Sequence, residues 1–191
     1  YNSTDDYYLP RRGILASTSL EFAGVGGDEK FLKNRTNFNY YLGLRDYIDY
    51  DLILRYKSSF GKIWDRGYIP INERLYLGGI RNLRGYESRT VSPKVRASNG
   101  NWYETGGEIS FNNSFELSFP MIDRVKMRGV LFYDYGMIGN SSLIEIKRSS
   151  AGVGIEWVTP IGPLQLIFAK ALDAKENDDT NTFEFTIGRR F

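Results

Sequence analysis

Apolar and polar side chains alternate with a period of two over long stretches of this chain. Between positions 108 and 119, Ile109, Phe111, Phe115, Leu117 and Phe119 fall on one face. Glu108, Ser110, Asn112, Ser114, Glu116 and Ser118 fall on the other, and only Asn113 interrupts the apolar series. A strand sends successive side chains to opposite faces, whereas a helix would mix the two sets. Ile14, Ala16, Thr18, Leu20 and Phe22 repeat the pattern, as do Phe38, Tyr40, Leu42 and Leu44. So do Leu52, Leu54 and Tyr56, facing away from Ile53, Arg55 and Lys57. Met127, Gly129, Leu131, Tyr133 and Tyr135 oppose Arg128, Val130, Phe132 and Asp134, and Ala151, Val153, Ile155 and Trp157 oppose Ser150, Gly152, Gly154 and Glu156. Leu164, Leu166 and Phe168 form a shorter series, and Phe183, Phe185, Ile187 and Phe191 close the chain.

This predicts about eight strands, many close to the ~10 residues that cross a bilayer at a tilt. Tight turns are expected near residues 47–49, 120–123 and 160–162, and longer polar loops at 24–32, 62–105, 140–147 and 174–181. Short turns alternating with long loops are the pattern of an outer-membrane barrel, with its periplasmic and extracellular ends. A soluble antiparallel sandwich also has period-two strands. Long strands, charges in mid-strand and strictly alternating loop lengths favour the barrel. The fold class expected is therefore all-β, an antiparallel transmembrane β-barrel, with 1–191 as one barrel domain and 62–105 as its long extracellular loop.

Composition refines this picture. Mean hydropathy is −0.40, which suits a barrel because only alternate positions need to be apolar. No stretch approaches the ~18 consecutive apolar residues of a spanning helix. Aromatic residues make up 15%, including 14 Tyr and 12 Phe, enough to furnish interfacial girdles. A net charge of +2 from 25 basic and 23 acidic residues leaves no basic surplus for nucleic acid. The chain has no Cys and no His, which argues against disulfides, Ser-His-Asp triads and nearly every zinc site. No enzyme activity, cofactor or metal is expected. Tyr1 opens the chain without a signal-like segment, as in a mature protein or a fragment.

One loop stands out: Leu77-Gly78-Gly79-Ile80-Arg81-Asn82-Leu83-Arg84-Gly85-Tyr86. Its glycines permit left-handed turns and close backbone approach, and an Arg there can present its fork to a carboxylate. By itself this is a glycine-rich loop with a surface Arg. In company with other motifs it resembles the sixth extracellular loop signature of the BamA/TamA superfamily. Phe132-Tyr133-Asp134-Tyr135-Gly136 is similar to that superfamily's aromatic-Asp-x-Gly strand. The ending Phe183-Glu184-Phe185-Thr186-Ile187-Gly188-Arg189-Arg190-Phe191 resembles its C-terminal strand, and Pro160-Ile161-Gly162-Pro163-Leu164 fits the preceding turn.

The resemblance covers the whole chain as the C-terminal half of a sixteen-stranded barrel. It implies that the loop carrying Gly78, Gly79, Leu83, Arg84, Gly85 and Tyr86 folds back into the lumen. Arg84 would pair there with Asp134 first and Glu116 next, both on the polar face by the alternation. Each acid could instead be a solvated lumen-lining charge. Phe183, Phe185, Ile187, Gly188 and Phe191 would form the recognition end of the last strand. The implied function is assembly of β-barrel proteins into the bacterial outer membrane. Residues 182–191 would template an incoming strand at a weakly paired seam. Partners would be unfolded outer-membrane proteins, outer-membrane lipid and accessory assembly lipoproteins. A secretion pore of the same superfamily shares the loop motif, and a plain structural or adhesive barrel or an outer-membrane enzyme are further alternatives. An isolated eight-stranded sheet has two open edges, which lipid does not tolerate. The chain is then expected to close on itself, to pair with a second copy, or, as favoured here, to be part of a larger protein.

Overall fold

The computed structural model describes residues 1–24, 26, 29–160 and 162–188. The alternating segments are long strands: β1 (Arg12–Ala23), β2 (Phe31–Gly43) and β3 (Ile53–Asp65) precede a short pair, β4 (Lys94–Arg96) and β5 (Trp102–Glu104). Then follow β6 (Ile109–Ile122), β7 (Met127–Gly139), β8 (Ile146–Thr159), β9 (Gly162–Ala171) and β10 (Phe183–Ile187). One eight-stranded sheet has the order β1-β2-β3-β6-β7-β8-β9-β10, while β4 and β5 form a separate hairpin. All neighbours pair antiparallel, so the sheet is a meander interrupted only by the long β3–β6 connection. A 13-residue strand such as β7 extends ~40 Å and, tilted by ~45°, covers the ~30 Å hydrocarbon thickness of a bilayer. Among the described residues no helix is long and apolar enough to cross a membrane.

The two faces are inverted relative to a soluble sandwich. On β6, Glu116 is 4% exposed while its neighbour Phe115 is 55% exposed. Arg55, Ser114, Ser118, Arg128, Asp134 and Glu156 are likewise buried, whereas Leu54, Leu131, Tyr133, Val153 and Phe168 point outward and are exposed. A sandwich would bury the apolar set; a barrel in lipid exposes it and lines its interior with the polar set. Asn113, the one polar residue on the apolar face of β6, accepts a hydrogen bond from the Tyr56 hydroxyl at 2.6 Å. Tyr56 stands opposite Phe115 in register, their rings 5.0 Å apart, so the polar break is satisfied within an aromatic patch.

Several expected boundaries move. β3 continues to Asp65 because residues 62–65 pair with Phe31 to Asn34 of β2. The long connection is therefore 66–108 rather than 62–105, and the loop expected at 24–32 gives up Phe31 and Leu32. Backbone pairing carries these strands past the point where the apolar alternation fades. The turn expected at 120–123 lies further on. The chain stays extended to Ile122, with a register shift between Pro120 and Ile122, and turns through a 3-10 segment, Asp123–Val125, closed by Lys126 at φ 52°. One turn of helix, α1 (Arg45–Ile48), makes the turn near 47–49. The turn at 160–162 includes Ile161, which lies outside the described residues.

The sheet does not close. Strands β1 and β10 stand at its opposite ends, so the self-closed eight-stranded barrel is not what these residues form. Residues 1–5 run along the free side of β1, with Ser3 N–H donating to Ile14 O at 2.9 Å and Ala16 N–H to Tyr1 O at 2.9 Å. On the other side, among the described residues, β10 pairs with β9 over five register positions, flanked by backbone bonds from Ala169 N–H to Thr182 O and from Gly188 N–H to Pro163 O.

Candidate functional site

The 66–108 connection returns across the inner face instead of standing away from the sheet. Leu75, Leu77, Leu83, Tyr86 and Val91 from it pack with Phe31, Ile63 and Ile138 of the wall in one buried cluster. The motif forms a compact turn: Gly79 N–H donates to Tyr86 O at 2.8 Å, and Leu83 N–H to Gly79 O at 3.2 Å. Asn82 Oδ1 accepts from Gly78 N–H at 2.9 Å. Gly78 has φ 108°, and a Cβ there would lie 2.2 Å from Glu87 O. Gly85, at φ 88°, lies so close to β8 and β9 that a Cβ would come within 3.1 Å of Ala171 N and 3.3 Å of Ser150 Cβ. Both positions need the missing side chain for conformation and for space.

This packing delivers Arg84 to the wall. Its Nε donates to Asp134 Oδ2 at 2.7 Å and its Nη2 to Asp134 Oδ1 at 2.6 Å, a two-pronged contact. The Arg84 backbone N–H adds a third bond to Asp134 Oδ2 at 3.2 Å. Nη2 also reaches Ser114 Oγ at 2.6 Å, and Nη1 lies 3.0 Å from Glu116 Oε1. The guanidinium carbon sits 3.6 Å above the Phe132 ring centroid. Ser114 stands opposite Asp134 in the β6–β7 register, and Glu116 is two residues further along β6. One guanidinium therefore joins both expected acids. A buried, fork-shaped pair of this kind is directional and costs ~3–5 kcal/mol to break from one side, because a buried charge is left uncompensated.

The surrounding network includes residues that the sequence did not single out. Arg55, opposite Glu116 in register, reaches Glu156 Oε1 at 2.8 Å and lies 3.5 Å from Glu116 Oε2. Lys57 approaches Glu116 Oε2 to 3.0 Å. Arg84, Glu116, Arg55 and Glu156 thus form an alternating chain of charges from the loop through β6 and β3 to β8. Tyr86 is fully buried, and its hydroxyl donates to Asp173 Oδ1 at 2.8 Å. Burial, then that carboxylate, push the Tyr86 phenol up from its ordinary pKa. The alternation already put Arg55 and Glu156 on the polar face; their pairing depends on register across four strands. Beside Arg84 lies a polar cavity of about 400 Å³, bounded by Asn37, Asn39, Lys57, Arg81, Asn112 and Gln165 among others.

At the terminal strand, Phe183, Phe185 and Ile187 point outward and are exposed, with the Phe183 ring 5.0 Å from that of Phe168. Gly188 N–H donates to Pro163 O at 2.7 Å. Phe191, named with them above, lies outside the described residues.

The family model described as the Omp85 superfamily domain matches residues 1–191. The chain belongs to the Omp85 superfamily. It is 29% identical over 221 residues to the outer membrane protein assembly factor BamA of Neisseria meningitidis serogroup B, covering 100% of this chain and 28% of that protein. A BamA of Nitratidesulfovibrio vulgaris is also 29% identical, covering 100% of this chain and 24% of the relative. A human protein, sorting and assembly machinery component 50 homolog, is 30% identical over 63% of this chain and 24% of its own length. The chain therefore spans about a quarter of the curated relatives it matches. Among solved structures, BamA from Haemophilus ducreyi lacking POTRA domains 1–3 superposes with a TM-score of 0.88 at 24% identity. That match covers 100% of this chain and 41% of the other, and it establishes the fold as part of a β-barrel wall. A barrel of this superfamily belongs in the outer membrane.

Proposed function

We propose that this Omp85 chain is the C-terminal part of a barrel that assembles other β-barrel proteins into the outer membrane. Its long loop would lie on the extracellular side and its short turns on the periplasmic side. The observation that carries the reading is the contrast at the sheet's end. A loop fixed by Arg84 to Asp134 and Glu116 adjoins the terminal strand β10, which stands at the end of the sheet and, among the described residues, pairs with β9 over five register positions. A terminal strand at a weakly paired barrel seam would present unpaired N–H and C=O groups, to which an incoming strand adds by backbone hydrogen bonding. The mechanism is non-covalent. The fixed loop keeps the wall rigid while β10 exchanges partners. Substrates are unfolded outer-membrane proteins, with lipid around the exposed aromatic face and accessory lipoproteins on the intact protein.

The names of the relatives, assembly factors in bacteria and a sorting and assembly component in human, support assembly over secretion. The test is Arg84→Ala in the natural full chain, reconstituted into lipid vesicles and supplied with an unfolded barrel substrate. Most of the assembly rate is expected to be lost, with the barrel still folded. A native rate in that variant contradicts the role given to the loop.

A further inference from the structure

The Arg84 contacts tie the loop to β6 and β7, yet the same loop also grips the terminal strand. Glu184 lies on the inner face of β10, opposite Ile167 of β9. Its Oε1 accepts a hydrogen bond from the backbone N–H of Ile80 at 3.0 Å. The other oxygen, Oε2, is buried and has no hydrogen-bond partner among the described residues. The Ile80 side chain packs on Phe132, Ile167 and Ala169, so this N–H is aimed at β10 by apolar contacts with β7 and β9. A second set of bonds holds the segment leading into β10. Glu87 N–H donates to Asp179 O at 2.9 Å and Asn181 N–H to Gly85 O at 3.1 Å, with Tyr86 bridging Thr180 between them.

We propose that Glu184 is a positioning residue that latches the terminal strand to the Arg84 loop. Release of β10 from β9 is thereby coupled to the loop's hold on the wall. The physical argument rests on what the carboxylate is doing there. Its only hydrogen-bond partner among the described residues is one backbone N–H from a loop 104 positions away in sequence. A polar atom on a half-buried strand face is costly to leave unpaired, and here the loop pairs Oε1. The latch adds to the pairing of β10 with β9 a bond from outside the sheet. Moving β10 outward breaks the Ile80 contact, and lifting the loop removes it equally. This deepens the assembly reading, on which it rests for the role of β10 as the exchanging strand.

The experiment is amide hydrogen exchange on the natural full chain in lipid nanodiscs, comparing native protein with Glu184→Ala, Glu184→Gln and Arg84→Ala. Exchange in the peptide spanning residues 182–188 is expected to accelerate about tenfold in Glu184→Ala, with residues 109–139 unchanged. Glu184→Gln keeps an acceptor oxygen and is expected to restore most of the protection. Arg84→Ala is expected to accelerate the same peptide, because it frees the loop. Unchanged exchange in Glu184→Ala overturns the latch. So does a Glu184→Gln variant as fast as Glu184→Ala, or an acceleration spread equally over the whole sheet. Assembly rates measured on the same variants separate the two claims. Altered exchange with native assembly keeps the latch and rejects the assembly role; native exchange with impaired assembly does the reverse.

Discussion

Asp134 and Glu116 are not equivalent ligands of Arg84. Asp134 takes two side-chain bonds and the backbone N–H, whereas Glu116 shares its charge among Arg84, Lys57 and Arg55. Asp134→Asn is therefore expected to undock the loop, weakening its hold by ~3–5 kcal/mol. Glu116→Gln should leave the loop docked through Asp134. Proteolysis within residues 78–87 distinguishes them: rapid cleavage in the first variant, protection in the second. Arg84→Lys is expected to resemble Arg84→Ala more than native protein, since an ammonium lacks the planar fork that spans both Asp134 oxygens. Period-two alternation assigns Glu116 and Asp134 to one face without any structure, whereas the meeting of Arg84 with them was implied only by the resemblance of its loop to the superfamily. What alternation leaves out is the lateral match between strands. The pairing of Arg55 with Glu156, 101 residues apart, depends on three successive registers across four strands, one of which shifts at Pro120 and Ile122. The Glu184 contact was illegible for another reason, since its partner is a backbone N–H and has no side-chain signature.

At the scale of elements, strand identity followed from the pattern while strand ends did not. The extension of β3 to Asp65 and the start of β2 at Phe31 are set by mutual backbone pairing, which operates regardless of side-chain type. The lumen loop depends on Gly85. An alanine there is expected to cost ~1–3 kcal/mol through its left-handed φ and to push the loop off β8 and β9, read as increased exchange at residues 78–87. The β7–β8 loop supplies a pH test outside the sheet. Glu145 accepts backbone N–H bonds from Asn140 at 3.0 Å, Ser141 at 2.8 Å and Ser142 at 2.9 Å. The bond from Asn140, then those from Ser142 and Ser141, hold its carboxyl below the ordinary carboxylate value. A lowered folded pKa means that this contribution is fully present above the unfolded value and is lost as pH falls through the folded one. The amide signals of residues 140–142 should stay constant from neutral pH down to the ordinary carboxylate range and shift only below it. Glu145→Gln should abolish that titration.

For the whole molecule, the decisive feature is the inversion of burial, with charges packed inside and aromatic side chains outside. It separates a membrane barrel from a sandwich with the same alternation, and no periodicity argument alone does so. The open ends of the sheet are the second feature. Residues 1–5 lie along β1, while β10, at the other end of the sheet, pairs with β9 among the described residues and lies beside the loop that grips it. The central claim is that this edge pairs with an incoming strand while Arg84 holds the loop. The 191 residues hold no Cys, so a single cysteine introduced here has no competitor within the chain. The most direct measurement places one at Thr186, by Thr186→Cys in β10, and follows disulfide trapping with a substrate carrying one cysteine in its last strand during assembly in vesicles. The account predicts a trapped adduct at one substrate register, transient in native protein and strongly reduced with Arg84→Ala. Failure to trap any substrate register at β10 during productive assembly would contradict it.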